Sequence, residues 1–374
     1  MTLDPIPVSV LTGFLGAGKT TLLNRLLKDP DLRDTAVIIN EFGDVAIDHL
    51  LVEQSSDGVI ELSDGCLCCT VRGELVDTLA DLVDRLQTGR IERLARVVIE
   101  TTGLADPAPV LQAIMGHPVL VQAFRLDGVI TLVDAVNGAA TLDAHVEAVK
   151  QVAVADRIVL AKADLANDPD HVAALCNRIR TINPGAQVFE VTDREAGAAG
   201  LLACGLYSAE SKSPDVARWL GEATGHDHHA HDHDHHGHDH GHHHRHDERI
   251  RSISLSHDQP IALSSVEMFL DLIASSHGSR LLRLKGIIET VERPERPLVV
   301  HAVQTLLHPP AFLPQWPDDR RGTRLVLIMI DMPEDYVRRL FAAITGTPRI
   351  DTPDRAALES NPLAIPGFRG VQPT

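Results

Sequence analysis

Pro7-Val8-Ser9-Val10-Leu11-Thr12-Gly13-Phe14-Leu15-Gly16-Ala17-Gly18-Lys19-Thr20-Thr21-Leu22-Leu23 decides the architecture of this chain. Pro7 to Leu11 is a mostly apolar run of strand length, and Lys19 to Leu27 carries apolar residues at helical spacing. Between them, Gly13 to Thr20 fits G-x-x-x-x-G-K-[ST]. A strand, a glycine-rich turn and a helix in that order form the setting in which backbone N–H groups wrap a phosphate. Gly13, Gly16, Ala17 and Gly18 are therefore expected to line a phosphate cup. Lys19 would reach the β- and γ-phosphates, the Thr20 hydroxyl would ligate Mg²⁺, and Thr21 would touch the α-phosphate.

Outward from that loop the chain alternates strands and helices. Ala36 to Ile39, Val97 to Ile99, Val129 to Val133 and Ile158 to Leu160 are short β-branched runs, as parallel strands covered on both faces should be. Glu74 to Leu86, Pro109 to Ile114 and His171 to Ile182 read as helices. The expectation is an α/β fold, a P-loop NTPase with a doubly wound, mostly parallel sheet, over residues 1–208. Residues 209–248 hold a short helix candidate at Val216 to Leu220 and then become His, Asp and Gly, a composition with nothing to bury that reads as a disordered linker. From 249 to 350 a strand, a helix, three strands and a helix predict a smaller α+β domain, and 351–374 reads as a loose tail.

A chain of 374 residues with 44% hydrophobic content is large enough for two cores, and its longest apolar runs are too short to span a bilayer. Met1-Thr2-Leu3-Asp4-Pro5 has no basic region, so no signal peptide and a cytoplasmic location are expected. A net charge of −18 argues against nucleic acid and anionic membranes as partners. Five cysteines, an odd number with three crowded together, point to metal or redox chemistry over a disulfide framework. Of the 21 histidines, 13 fall between His226 and His246, interleaved with Asp. That stretch is either a weak, fast-exchanging metal ligand supply or a solvated spacer.

Three further motifs carry chemistry. Glu100-Thr101-Thr102-Gly103 closes a buried strand beside the phosphate loop. Glu100 stands where a Mg²⁺-orienting carboxylate belongs, and Gly103 can offer a backbone N–H to a γ-phosphate; a plain strand-end acid is the alternative. No Gln follows Gly103, so no water-positioning residue is named and slow hydrolysis is expected. Ala161-Lys162-Ala163-Asp164 resembles N-K-x-D with Ala in place of Asn. Asp164 would accept from guanine N1 and N2 and the Lys162 stem would cover the ring, unless the two are simply a surface pair. Gly65-Cys66-Leu67-Cys68-Cys69 packs three thiols into four residues. Cys66, Cys68 and Cys69 with Glu41 would complete a tetrahedral Zn²⁺ site, against the alternative of reduced, packed thiols.

Taken in order, Gly13 to Thr20, Asn40-Glu41-Phe42-Gly43, Gly65 to Cys69 and Glu100 to Gly103 resemble the CobW-type P-loop GTPases, relatives of the GTPases that mature hydrogenase and urease metal centres. Leu284-Lys285-Gly286, Val300-His301-Ala302-Val303-Gln304 and Trp316-Pro317 resemble the C-terminal domain of that family. The resemblance implies a GTP-dependent metallochaperone for Zn²⁺, or for cobalt in some members, with metal held at Cys66, Cys68 and Cys69. It further implies a client metalloprotein as partner, and a homodimer stays open. Ala161 departs from the family's guanine motif and removes one supporting contact.

Overall fold

The computed structural model describes residues 5–29, 32–40, 59–62, 71–166, 168–193, 196–202, 249–308 and 310–346. The expected Glu41 and cysteine ligands, the histidine tract, the helix candidate Val216 to Leu220 and the tail lie outside the described residues.

Seven strands form the first sheet: β1 (Ile6–Gly13), β2 (Thr35–Asn40), β3 (Val59–Leu62), β4 (Arg96–Thr101), β5 (Phe124–Asp134), β6 (Arg157–Ala161) and β7 (Gln187–Glu190). Their spatial order is β3-β2-β4-β1-β5-β6-β7, and every pairing is parallel. The connecting helices are α1 (Lys19–Leu27), α2 (Val71–Gln87), α3 (Ala108–Gly116), α4 (Leu120–Ala123), α5 (Gly138–Ala144), α6 (Val146–Val154), α7 (Pro169–Ile182) and α8 (Ala198–Leu202).

Strand residues divide between the two faces with a period of two, which is why the runs are apolar throughout. Val8, Val10, Val97, Ile99 and Val129 join the core under α2, α3 and α4. Leu11, Val98, Ile130, Leu132 and Val159 face α1 and α8. Strand β1 lies between β4 and β5, so the chain leaves it to one side first and to the other later. The crevice at its carboxyl end is the place where such sheets bind ligands.

The second unit is a sheet of β8 (Ile250–His257), β9 (Leu281–Ile288), β10 (Leu298–Val303), β11 (Leu306–Leu307), β12 (Ala311–Phe312) and β13 (Thr323–Ile330), with α9 (Leu263–His277) and α10 (Glu334–Ile344). Its strand pairs are antiparallel, in the order β11-β10-β9-β13-β8 with β12 on β10. One face packs on α9 and α10 through Leu284, Val300, Leu327, Phe269 and Phe341. Toward the first unit, Ile250, Leu282, Ile328 and Ile330 share a core with residues of α5, α6 and α7.

Each long strand that the sequence reading places in the first unit is present, lengthened by two to six residues. That reading omits the four-residue strands β3 and β7, the helices α4, α5, α6 and α8, and two of the strands that follow α9 in the second unit.

A buried ion cluster stitches the units together. Asp156, directly before β6, is 5% exposed and accepts hydrogen bonds from Arg283 (3.1 Å) and from Lys285, both on β9. Its Oδ2 also accepts from the Val129 N–H at 2.8 Å. Burial alone would raise this carboxyl, yet the two cations bring it down to about 2.

Candidate nucleotide site

Only glycine makes the phosphate loop affordable. Gly16 and Gly18 have φ of +71° and +94°, and Gly13 has φ of +143°. A Cβ on Gly13 would come within 2.5 Å of the Leu132 carbonyl oxygen, so the loop can pass β5 only without a side chain. Gly18 is the N-cap of α1, which offers no side-chain cap, so the first N–H groups of that helix stay turned toward the cup. Buried Ala17 anchors the loop in the core below. The Lys19 ammonium donates to the carbonyl oxygens of Gly13 (3.1 Å) and Phe14 (3.4 Å), which hold it over the loop.

Strand register brings the expected partner to Thr20. Glu100 pairs with Leu11 on one side and Ile39 on the other, and it is 5% exposed. The Thr20 hydroxyl donates to Glu100 Oε1 at 2.9 Å. One neutral and one anionic oxygen meeting beside a phosphate cup is a donor set that suits a hard divalent cation such as Mg²⁺. Gly103 lies directly on the loop: a Cβ there would sit 2.6 Å from the Leu15 nitrogen. Thr21 is exposed on α1.

On the β5–β6 side a cavity of about 340 Å³ opens between Phe14–Ala17, the end of β5, Gln151 and Lys162. Its walls are mainly apolar, and Asp134, Asn137 and Lys162 give it polar groups. Lys162 sits at φ +60° and pairs with Asp134 at 2.7 Å. Burial would raise the Asp134 carboxyl, but hydrogen bonds from Lys162 and from the Asn137 backbone and side chain lower it on balance. Asp164 is exposed on the short 3₁₀ turn Ala163–Leu165 that follows. An apolar slot with a few polar groups suits a ring system, whereas the glycine cup suits phosphates.

Residues 7–190 match the family described as CobW/HypB/UreG, nucleotide-binding domain, and residues 250–345 match Cobalamin synthesis protein cobW C-terminal domain. The chain belongs to the CobW family. It is 36% identical over 344 residues to the zinc chaperone YjiA of Escherichia coli (strain K12), covering 91% of this chain and 99% of that protein. It is 32% identical over 380 residues to the zinc chaperone CobW of Sinorhizobium sp, covering 91% and 97%. A crystal structure of Zn(II)-bound YjiA GTPase from E. coli aligns with a TM-score of 0.67 at 32% identity, over 91% of this chain and 99% of that one.

In this CobW-family chain the structure brings Gly13, Gly16, Ala17, Gly18, Lys19, Thr20, Glu100 and Gly103 together at the carboxyl ends of β1 and β4. Lys162 and Asp164 follow β6, two strands away. Glu41 comes directly after Asn40, which is paired with Thr101; Cys66 comes four residues after the last residue of β3. Among the described residues, no three His, Cys, Asp or Glu side chains converge as a metal site. None of the described helices is long and apolar enough to cross a membrane.

Sequence reasoning missed Asp134, Asn137, Lys150, Gln151 and Asp106. In Val146–Val154, Gln151 stands three residues from both Ala148 and Val154, so helical spacing puts this polar residue on the apolar face.

Proposed function

We propose that this chain is a GTP-hydrolysing zinc metallochaperone that passes its ion to a client metalloprotein. The observation that carries the nucleotide half is the Thr20–Glu100 contact at 2.9 Å beside the glycine cup. Thr20 and Glu100 would hold Mg²⁺, which would supply positive charge against the phosphates when bound. Gly13, Gly16, Ala17 and Gly18 bind the phosphates through backbone amides, Lys19 supplies a positive charge to the β- and γ-phosphates, and Thr21 reaches the α-phosphate. The cavity under Lys162 takes the base, with Asp164 accepting from guanine.

Support for zinc as the cargo comes from the names borne by YjiA and CobW and from the thiolate chemistry of Cys66, Cys68 and Cys69 with Glu41. Glu41 follows Asn40 directly in the sequence, and Asn40 pairs with Thr101, next to Glu100. Nucleotide state is thereby coupled to metal affinity, and hydrolysis loosens the ion for delivery.

The test is the triple variant Cys66→Ser, Cys68→Ser, Cys69→Ser with residues 209–248 deleted. It should lose tight zinc while retaining GTP binding; retention of zinc at wild-type affinity would refute the thiolate assignment.

A further inference from the structure

We infer that Gln151 of α6 is the positioning residue for the loop Gly103–Asp106, which reads the terminal phosphate of the nucleotide. This rests on the GTPase reading above and assigns that reading a residue outside the cup.

Gln151 is 1% exposed. Its Nε2 donates to the Gly103 carbonyl and to the Ala105 carbonyl, each at 3.1 Å, so both amide hydrogens go to one loop. Two carbonyls on alternate residues fix the course of the turn. That turn packs Gly103 against Leu15 of the phosphate loop so closely that no Cβ fits between them. The orientation of the Gly103 N–H relative to the cup therefore depends on bonds made on the far side of the turn.

The rest of α6 makes the hold rigid. Lys150 pairs with Asp106 at 2.7 Å, pinning the same loop from the neighbouring position. The Gln151 carbonyl accepts from the Thr131 hydroxyl at 2.8 Å, which ties this turn of helix to β5. At the start of α6, the His145 ring stacks on Phe14 of the phosphate loop with centroids 4.4 Å apart. Past its end, Asn183 donates to the carbonyls of Val152 (2.8 Å) and Ala155 (2.9 Å). One helix thus holds the phosphate loop and the sensing loop in a single frame. The amide matters at position 151: a carboxylate has no hydrogens for two carbonyls, and an apolar side chain withdraws the donor from both.

A merely structural glutamine and a positioning one differ in which nucleotide they affect. The diphosphate ends before the sensing loop, so a positioning role changes triphosphate affinity and turnover and spares GDP. In the full chain with Mg²⁺, Gln151→Leu should weaken binding of a nonhydrolysable GTP analogue about 10-fold and lower kcat by a similar factor, with GDP affinity unchanged. Gln151→Glu should behave alike.

Lys150→Met removes a partly exposed contact and keeps the fold. It should shift the GTP-to-GDP preference in the same direction by about 2-fold, and it decides the matter if Gln151→Leu does not fold. Equal losses for GTP and GDP, or an intact GTP preference in the deciding variant, would overturn the role of Gln151. A wild-type chain that fails to hydrolyse GTP would instead overturn the functional reading beneath it.

Discussion

Glu100 and Asp156 belong to the same parallel sheet and are equally hidden, each 5% exposed, yet they are served in opposite ways. Glu100 lies near the carboxyl end of β4 and meets a hydroxyl from Thr20. Asp156 lies at the amino end of β6 and receives Arg283 and Lys285 from the other folded unit. A buried carboxylate with cations of its own is part of the framework, and its charge is settled when the chain folds. A buried carboxylate beside hydroxyls and glycine amides is suited to a cation that arrives with a ligand. Burial alone separates nothing here; the partners do.

The largest effect should come from breaking the framework half. Asp156→Ala leaves two buried cations without their carboxylate and should cost about 3–5 kcal/mol, read as a drop in thermal or denaturant stability. A loss below about 1 kcal/mol would mean the two units are held by apolar packing alone.

Next in size is Lys19→Ala. It should lower GTP turnover on the order of 100-fold or more while the melting temperature stays near wild type. Turnover within a few-fold of wild type would remove Lys19 from the phosphate chemistry.

Acid sharpens the contrast further. The Asp156 carboxyl is lowered to about 2 in the folded chain, so its contribution is complete above the unfolded value near 4 and fades as pH falls toward 2. That contribution is on the order of 2 kcal/mol. His301 works at higher pH. Burial first, then His308 and Arg283, push its imidazole well below the usual range, so it stays neutral when folded. The unfolded chain takes up that proton below about pH 6.5, and stability declines from there downward. His301→Gln should flatten the upper part of this acid profile and leave the part near pH 3.

The smallest effect belongs to Lys162→Met. Its pair with Asp134 is over a third exposed on the lysine side, so stability should change by less than about 1 kcal/mol. Guanine nucleotide affinity should fall a few-fold in a binding titration, with no change in the Asp156 acid profile.

The sequence made the phosphate edge readable because its chemistry is local. Gly13 to Thr20 is one continuous stretch, and Glu100 ends an apolar run that reads as a strand unaided. The interface is not local. Arg283 and Lys285 interrupt the run Leu281–Ile288, a visible oddity in a buried strand, but their partner lies 127 and 129 residues earlier. Helix α6 escaped for another reason. Val146–Val154 carries four valines, a composition that suits strands as well as helices, and only the capped, packed structure decides between them. Short β3 and β7 are too brief for periodicity to register.

In a nucleotide-driven chaperone, zinc and GTP affect each other's binding. Calorimetric titration of zinc into the untagged, metal-free chain, with and without a nonhydrolysable GTP analogue and Mg²⁺, tests it most directly. Zinc affinity should differ by about 5-fold or more between the two titrations, and GTP affinity should shift by the same factor when zinc is present. Superimposable isotherms would contradict nucleotide-driven delivery.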